Sequence, residues 1–290
     1  DNFNPYAGVL LHQRNNLHYT VNEALFYTNH NTNQIIPWLA TGWTQSQDHR
    51  EVTVTLRDGV TWSDGKPFGA EDVKFTFDLL KAAAPDLVFS SAIKEWVDSV
   101  TVVDPLTVRI RITKPGPRWP QDFLATGQAT RFVVLPKHIW EGKDARTFGF
   151  FDLEKGWPVG TGPYRLVKSD AASLVFDRRP GWWAVDKGVA AAMPAIERII
   201  YVPATEQAIP QLFASNQIDI GRSIQPGAFA AIRAQNPRLV AWNEDGPVWG
   251  AADGCTFAIR FNLQQPPFDD ARVRRAIAAA IDRDQLVDLA

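Results

Sequence analysis

The sequence contains little sulfur and almost no excess charge. Its 290 residues include one Cys and one Met, so a disulfide bond within the chain is excluded. The 30 Lys and Arg residues nearly balance the 32 Asp and Glu residues, leaving a formal net charge of −2. This balance gives no electrostatic reason to expect nucleic acid or an anionic membrane as a partner. No segment approaches the roughly 18 consecutive apolar residues of a transmembrane helix.

Patterns typical of catalytic and metal sites are also missing. The five His residues are isolated, and neither an H-E-x-x-H pattern nor a G-x-S-x-G pattern occurs. The loop 160–163 resembles a phosphate-binding loop only superficially, because Pro163 has no N–H to donate and no Lys-Ser/Thr pair follows. Cys255 has no His close to it in sequence, so we expect a small buried apolar residue. The sequence therefore predicts no enzyme, no cofactor and no metal site.

The clearest local pattern is a strand, two turns and a helix over residues 52–80. Apolar and polar residues alternate from Val52 to Leu56, which predicts a half-buried strand. Two Asp-Gly turns follow. Apolar residues then recur at helical spacing, which predicts a helix from about residue 70 to 83. We interpret Asp64 as a turn residue and Asp72 as a helix-start residue rather than as catalytic acids.

The rest of the chain shows a mixture of hairpins and helices, which predicts an α/β fold with a mixed sheet. Asp270 is predicted to cap a helix that runs through Ile281. The other predicted helices lie at 22–27, 91–98, 137–142 and 205–216, with a last one that starts near residue 283. The other predicted strands lie at 35–43, 133–136, 196–202, 218–220, 239–242 and 256–263, and hairpins are predicted at 100–112 and 164–177.

The eleven Trp residues are the unusual feature of the composition. An indole ring can stack on the apolar face of a sugar or enclose a peptide side chain, and it also carries an N–H donor. An α/β chain that is rich in Trp but has no catalytic pattern suggests recognition. Not every Trp can serve a ligand, and we expect Trp43, Trp62 and Trp183 to belong to the core.

Four segments carry a resemblance to one family. They are residues 39–80 (LATGWTQ…DLL), 160–183 (GTGPYRLV…GWW), 196–221 (IERIIYVPATEQAIPQLF…DIG) and 261–287 (FNLQQPPFDDARVRRAIAAAIDRDQLV). In these segments and in their order the chain is similar to the family 5 extracellular solute-binding proteins, the dipeptide and oligopeptide class of ABC-importer receptors. The chain departs from the family pattern at Gly69, a weaker helix cap than the usual Thr or Ser. Pro210 departs too, because it lies inside a predicted helix, which must start late or bend.

The resemblance implies a periplasmic-binding-protein type fold with two lobes and mixed sheets. Members of the family are longer than this chain, so we expect mainly the first lobe here. Residues 1–255 are assigned to that lobe, without the family's usual N-terminal strand. Residues 256–290 are assigned to the crossover and to the truncated start of the second lobe. Because ligand would bind between the lobes, we expect weak binding or none by these 290 residues alone.

The resemblance also implies a function in transport. The expected protein is the substrate-binding component of an ABC importer, which closes around its ligand and delivers it to a membrane permease. The expected partners are a small-molecule ligand and the permease, with the protein acting as a monomer. The expected location is periplasmic or extracellular, with membrane association through the transporter.

The ligand class stays open between peptide and oligosaccharide. A peptide receptor needs a carboxylate and an Arg for the charged ends of the ligand, whereas a sugar receptor needs stacked Trp rings. A carbohydrate-active enzyme or a sugar-binding module is the alternative from another functional class, and as an enzyme it needs two carboxylates across a Trp-lined groove. The candidate ligand-binding residues are Tyr6, Asn29, His30, Trp157, Trp249 and Asp253.

Overall fold

The structure, a computed structural model, describes residues 2–7, 18–29, 31–126, 132–221, 224, 226–241, 259–283 and 285. The chain divides into two compact units, Asp1–Val202 (unit 1) and Pro203–Ala290 (unit 2). This division precedes the predicted lobe boundary at 255/256, which stays a prediction. Within the described ranges, no helix is both long enough and apolar enough to cross a membrane.

The described part of unit 1 contains short helices between the strands of three sheets. Its elements in chain order are α1 (His18–Val21), β1 (Phe26–Asn29), β2 (Gln34–Pro37), β3 (Ala40–Gln45), β4 (Glu51–Leu56), α2 (Ala70–Ala82), α3 (Ser90–Trp96), β5 (Val97–Asp104), β6 (Thr107–Ile112), α4 (Trp119–Leu124), β7 (Ala125–Thr126), α5 (Lys137–Trp140), β8 (Tyr164–Ser169), β9 (Leu174–Arg178), α6 (Trp183–Asp186) and β10 (Arg198–Tyr201). The described elements of unit 2 are α7 (Ile209–Ala214), α8 (Pro226–Gln235) and α9 (Ala271–Ala280).

One of the three described sheets of unit 1 combines parallel and antiparallel strands. Four antiparallel strands form the sheet β3-β4-β6-β5, and three antiparallel strands form the sheet β10-β9-β8. In the third sheet, β2-β1-β7, strand β1 pairs antiparallel with β2 and parallel with β7. The predicted combination of helices with a mixed sheet is therefore confirmed.

The four-stranded sheet forms where the sequence alternates. Val52 pairs with Ile110 and Val54 pairs with Val108, and all four side chains are buried. Side chains on one face of neighbouring strands lie close enough to pack on each other, so this register gives the sheet one continuous apolar face. The predicted strand at 52–56 and the predicted hairpin at 100–112 are confirmed.

Helix α2 covers this apolar face. Its buried side chains include Val73, Phe77 and Leu80, as the helical spacing predicts. The helix begins after Gly69, whose N–H donates to the Asp72 carboxylate over 3.0 Å, so Asp72 stabilises the helix start. The Asp64 carboxylate accepts from the N–H of Lys66 over 3.1 Å within its turn. Both interpretations of these acids are confirmed.

Four predicted elements of unit 1 differ from the structure. The helix predicted at 22–27 is wrong, because Phe26 already begins β1, and residues 133–136 do not form the predicted strand. The predicted strand at 35–43 is two strands, β2 and β3, which belong to different sheets. Between them the N–H groups of Trp38 and Leu39 donate to carbonyls of the segment before β1, so the chain leaves one sheet for the other. The helix predicted at 91–98 ends at Trp96, because Val97 already pairs with Ile112 in the sheet.

Two helices of unit 2, α7 and α9, begin as the sequence predicts. The Asp270 carboxylate accepts from the N–H of Arg272 over 2.8 Å and caps α9, as predicted. Pro210 lies in the first turn of α7, so the helix starts late, at Ile209. The predicted strand at 218–220 is wrong, because these described residues do not adopt a strand. Helix α8 was not predicted.

A glycine loop, residues 160–163, holds the chain just before Glu23 in place. The N–H of Gly162 donates to the carbonyl of Val21 over 2.8 Å, and the N–H of Ser63 donates to the carbonyl of Gly160 over 2.8 Å. A Cβ atom added to Gly160 would lie 2.1 Å from the Val21 carbonyl oxygen. The two backbones therefore approach so closely that only glycine fits at residue 160.

We expect Gly160→Ala to destabilise the protein by about 2 kcal/mol or more, because the added methyl group must displace backbone rather than a mobile side chain. Gly181→Ala is the matched control, since a Cβ there meets no atom within 4 Å. Urea unfolding measures both variants. Equal stability of the two variants would contradict the close approach of the loop to Val21.

Candidate functional site

Glu23 is a buried carboxylate held by two indole groups. Glu23 follows α1 in the chain and is only 5% exposed. The indole N–H of Trp38 donates to one carboxylate oxygen over 2.8 Å, and that of Trp183 donates to the other oxygen over 2.8 Å. Trp38 follows β2 and Trp183 begins α6, so one carboxylate joins three segments that are distant in sequence. We call Glu23, Trp38, Trp182, Trp183 and Thr161 the Glu23 cluster.

The cluster continues into the glycine loop. The indole N–H of Trp182 donates to the carbonyl of Thr161 over 3.1 Å, and Thr161 is itself 1% exposed. The guanidinium of Arg179 donates to the carbonyl of Gly162 over 2.9 Å. The rings of Trp38 and Trp183 meet edge to face with centroids 5.8 Å apart. The indole N–H groups therefore donate to the loop and to the carboxylate, while the rings pack on one another.

Burial dominates the electrostatics of Glu23. Desolvation raises the pKa of Glu23 from 4.5 to about 7, although the hydrogen bonds from Trp38, Trp183 and Thr161 favour the charged form and act in the opposite direction. Burial also lowers the pKa of the Arg179 guanidinium, against the attraction of Glu23 and Asp64. Near neutral pH, Glu23 can therefore bind or release a proton inside the protein.

Three of the six candidate ligand-binding residues lie within the described residues. Tyr6 is 1% exposed, and its hydroxyl donates to the carbonyl of Val133 over 2.5 Å and accepts from the Val133 N–H over 2.8 Å. The Asn29 side-chain oxygen accepts from the N–H of Asn31 over 3.0 Å, which stabilises the turn between β1 and β2. These contacts are structural, and ligand binding by Tyr6 and Asn29 stays a prediction.

Trp157 is half-buried at the approach to the glycine loop. Its ring meets that of Phe148 edge to face at 5.6 Å, and the Lys155 ammonium lies 5.0 Å from the ring centroid. Trp157 packs against the same core cluster that contains Tyr6. Ligand binding by Trp157 stays a prediction.

The other three candidates, His30, Trp249 and Asp253, lie outside the described residues. Ligand binding by these three residues also stays a prediction. Cys255 lies outside the described residues as well, so its expected burial is a prediction too.

The core predictions for Trp residues are confirmed. Trp62 and Trp183 are buried, and the half-buried Trp43 packs on the core against Phe26, with ring centroids 4.8 Å apart. Sequence reasoning missed the role of Glu23. Its only local signal is one acidic residue within the otherwise mostly apolar stretch that leads into β1. Within the described ranges, no three His, Cys, Asp or Glu side chains come together in a way that could hold a metal ion.

The raised pKa of Glu23 predicts that stability falls as pH rises. Glu23 titrates near 4.5 when unfolded and near 7 when folded, so between these values the folded state binds more protons. The free energy of unfolding therefore falls by at most about 3 kcal/mol between these two pH values. We expect Glu23→Gln to remove this decrease, although the amide also weakens one indole hydrogen bond at every pH. Urea unfolding at several pH values measures the slope.

The control for this experiment is Glu154→Gln, which removes an exposed carboxylate. Burial also raises the pKa of Asp72, which adds a slope of the same sign in both variants. The comparison between variants therefore isolates Glu23. A Glu23→Gln protein that keeps the full decrease in stability would show that Glu23 does not titrate in this interval.

Comparison with known proteins identifies a family with this architecture. Residues 34–290 match the family model of bacterial extracellular solute-binding proteins, family 5 Middle. The glutathione-binding protein GsiB of Salmonella paratyphi A is 29% identical over 260 residues, which cover 87% of this chain and 44% of that protein.

Solved structures agree. The structure of a periplasmic oligopeptide-binding protein of an ABC transporter from Thermotoga maritima is 25% identical, with a TM-score of 0.74, and the match covers 92% of this chain and 47% of that chain. A mannohexaose-bound structure from the same organism is also 25% identical, with a TM-score of 0.71 and the same coverage of 92% and 47%. The predicted periplasmic-binding-protein type fold is confirmed, and the chain spans less than half of the length of these relatives. This chain belongs to the bacterial extracellular solute-binding proteins of family 5.

Proposed function

We propose that this chain is part of the substrate-binding component of an ABC importer. The observation that carries the proposal is the family match over residues 34–290, supported by structural likeness to an ABC-transporter oligopeptide-binding protein. The proposed protein captures a peptide or a related solute outside the cytoplasm, in the periplasm or at the cell surface, and delivers it to a membrane permease. It acts as a monomer and associates with the membrane through the transporter.

The proposed mechanism is closure of two lobes around a ligand. A ligand shifts an open–closed equilibrium only by the difference between its affinities for the two states, so contacts from both lobes are needed for tight capture. We assign residues 1–255 to the first lobe and residues 256–290 to the crossover and the start of the second. Under this assignment, contacts from these 290 residues alone supply only part of the binding free energy.

Two ligand classes fit the proposal. Peptide is favoured by similarity to a protein named for binding glutathione and to one named for binding oligopeptides. Oligosaccharide is the second candidate, because eleven Trp residues offer stacking surfaces and a similar structure is described as bound to mannohexaose. The relatives are binding proteins, which favours recognition over catalysis. Hydrolysis of an oligosaccharide by the purified protein would instead support the carbohydrate-active enzyme.

Titration of the complete two-lobed protein with a peptide library that includes glutathione, and in parallel with manno- and cello-oligosaccharides, tests the ligand class. Tryptophan fluorescence and calorimetry report binding. We expect saturable binding of peptides. Binding of the sugars alone would replace the peptide proposal by the oligosaccharide proposal, and binding of neither class would overturn both. Nanomolar binding of any ligand by residues 1–290 alone would contradict the need for contacts from a second lobe.

Trp157 provides a residue-level test. We expect Trp157→Ala to weaken ligand binding at least tenfold, about 1.4 kcal/mol, because an aromatic contact in a binding site contributes on this scale. The matched control is Trp96→Ala, since Trp96 is also half-buried and also lies under a lysine, with the Lys114 ammonium 4.1 Å from its ring centroid. Equal affinities of the two variants would remove Trp157 from the proposed site.

A further inference from the structure

The segment between α1 and β1 is fixed on both sides by contacts that centre on Glu23. On one side, the Val21 carbonyl accepts from Gly162, and the Glu23 carboxylate accepts from Trp183. On the other side, Trp38 donates its indole N–H to Glu23 and its backbone N–H to the Leu25 carbonyl over 3.1 Å. Backbone bonds and the Glu23 carboxylate therefore hold this segment together, and among these contacts the carboxylate is the group that can change its proton state.

Strand β1 and the glycine loop, which both contact the Glu23 cluster or follow it in the chain, lie next to candidate ligand-binding residues. Strand β1 begins at Phe26, directly after this segment, and ends at Asn29. The glycine loop begins at Gly160, three residues after Trp157, and both belong to the same stretch of unit 1. Two short stretches of backbone, residues 24–29 and 157–160, therefore connect the contacts around Glu23 to Asn29 and to Trp157.

The proton state of Glu23 changes which hydrogen bonds the cluster can make. The ionised carboxylate accepts only, and it meets the two indole donors and the Thr161 hydroxyl. A protonated carboxyl has an O–H that needs an acceptor, and a hydroxyl such as that of Thr161 can rotate to accept it. Because Thr161 lies within the glycine loop, protonation alters the bonding of the loop itself.

The charged groups around the cluster do not fix the proton state. Among the described residues, Arg179 attracts Glu23 but donates to the Gly162 carbonyl, and Asp64 acts on Arg179. Arg57 lies over the face of Trp183, 5.9 Å from the ring centroid, and donates to the Trp38 carbonyl over 2.6 Å. Since both guanidinium groups donate to backbone carbonyls, Glu23 can exchange its proton while the two arginines keep these partners.

We propose that Glu23 is a proton-linked positioning residue for ligand capture, which aligns β1 and the glycine loop through the indole groups of Trp38 and Trp183. This inference rests on the proposed function, because Asn29 and Trp157 are ligand-binding residues only under that proposal. Glu23 itself is too deeply buried to contact a solute. Its effect on ligand binding is exerted through the two segments that it holds.

Nuclear magnetic resonance of the 290-residue chain tests this inference without a ligand. We expect the indole N–H signals of Trp38 and Trp183 to shift with one common midpoint near pH 7, and the signals of the Asn29 amide and the Trp157 indole to shift with the same midpoint. In Glu23→Gln all four shifts should be lost. The Trp96 indole is the internal control and should keep its position in both proteins.

Two results would overturn the inference. Either the Trp38 and Trp183 signals do not titrate together, or they titrate while those of Asn29 and Trp157 stay fixed, which would leave Glu23 with a structural role only. Trp183→Phe keeps the ring but removes one donor, and it should move the common midpoint to higher pH, which provides a second test if Glu23→Gln does not fold. Absence of peptide or sugar binding would overturn the proposed function, and the result of this titration would be unaffected.

Discussion

The arrangement of unit 1 depends on a buried carboxylate that accepts hydrogen bonds from two tryptophan side chains. Burying a carboxylate costs several kcal/mol unless its oxygens find donors, and a buried indole N–H without an acceptor carries its own cost. Glu23 meets Trp38 and Trp183 at 2.8 Å each, so each group removes the penalty of the other. Replacing Glu23 removes the acceptor of both indole groups, and replacing one Trp leaves the buried carboxylate with one donor fewer, which makes the three segments interdependent.

This constraint explains how residues 18–29 are fixed although their regular elements are short. Strand β1 has only four residues, and α1 has four. Neither element is long enough to be stable alone. The chain between them is held by the glycine loop, by the backbone at Trp38 and by the start of α6. In this part of the protein, side-chain and loop contacts replace the hydrogen bonds that longer elements would supply.

Local patterns predicted the elements whose partners are close in sequence. The strand at 52–56, the hairpin that follows α3 and the start of α2 all depend on alternation, turn residues and caps within a few residues. The strand predicted at 35–43 failed because its division depends on backbone contacts with the segment before β1. Helix α8 was missed because its run of small residues has no distinctive apolar spacing. Glu23 was missed because one of its donors, Trp183, lies 160 residues away.

A double-mutant cycle between Glu23 and Trp183 tests the interdependence of these segments most directly. Unfolding free energies of the wild type, Glu23→Gln, Trp183→Phe and the double variant give the coupling between the two side chains. We predict that the second substitution costs much less once the first is present, with a coupling of about 1 kcal/mol or more. Additivity within about 0.5 kcal/mol would show that the two side chains do not depend on each other, and would contradict a fold held together at Glu23.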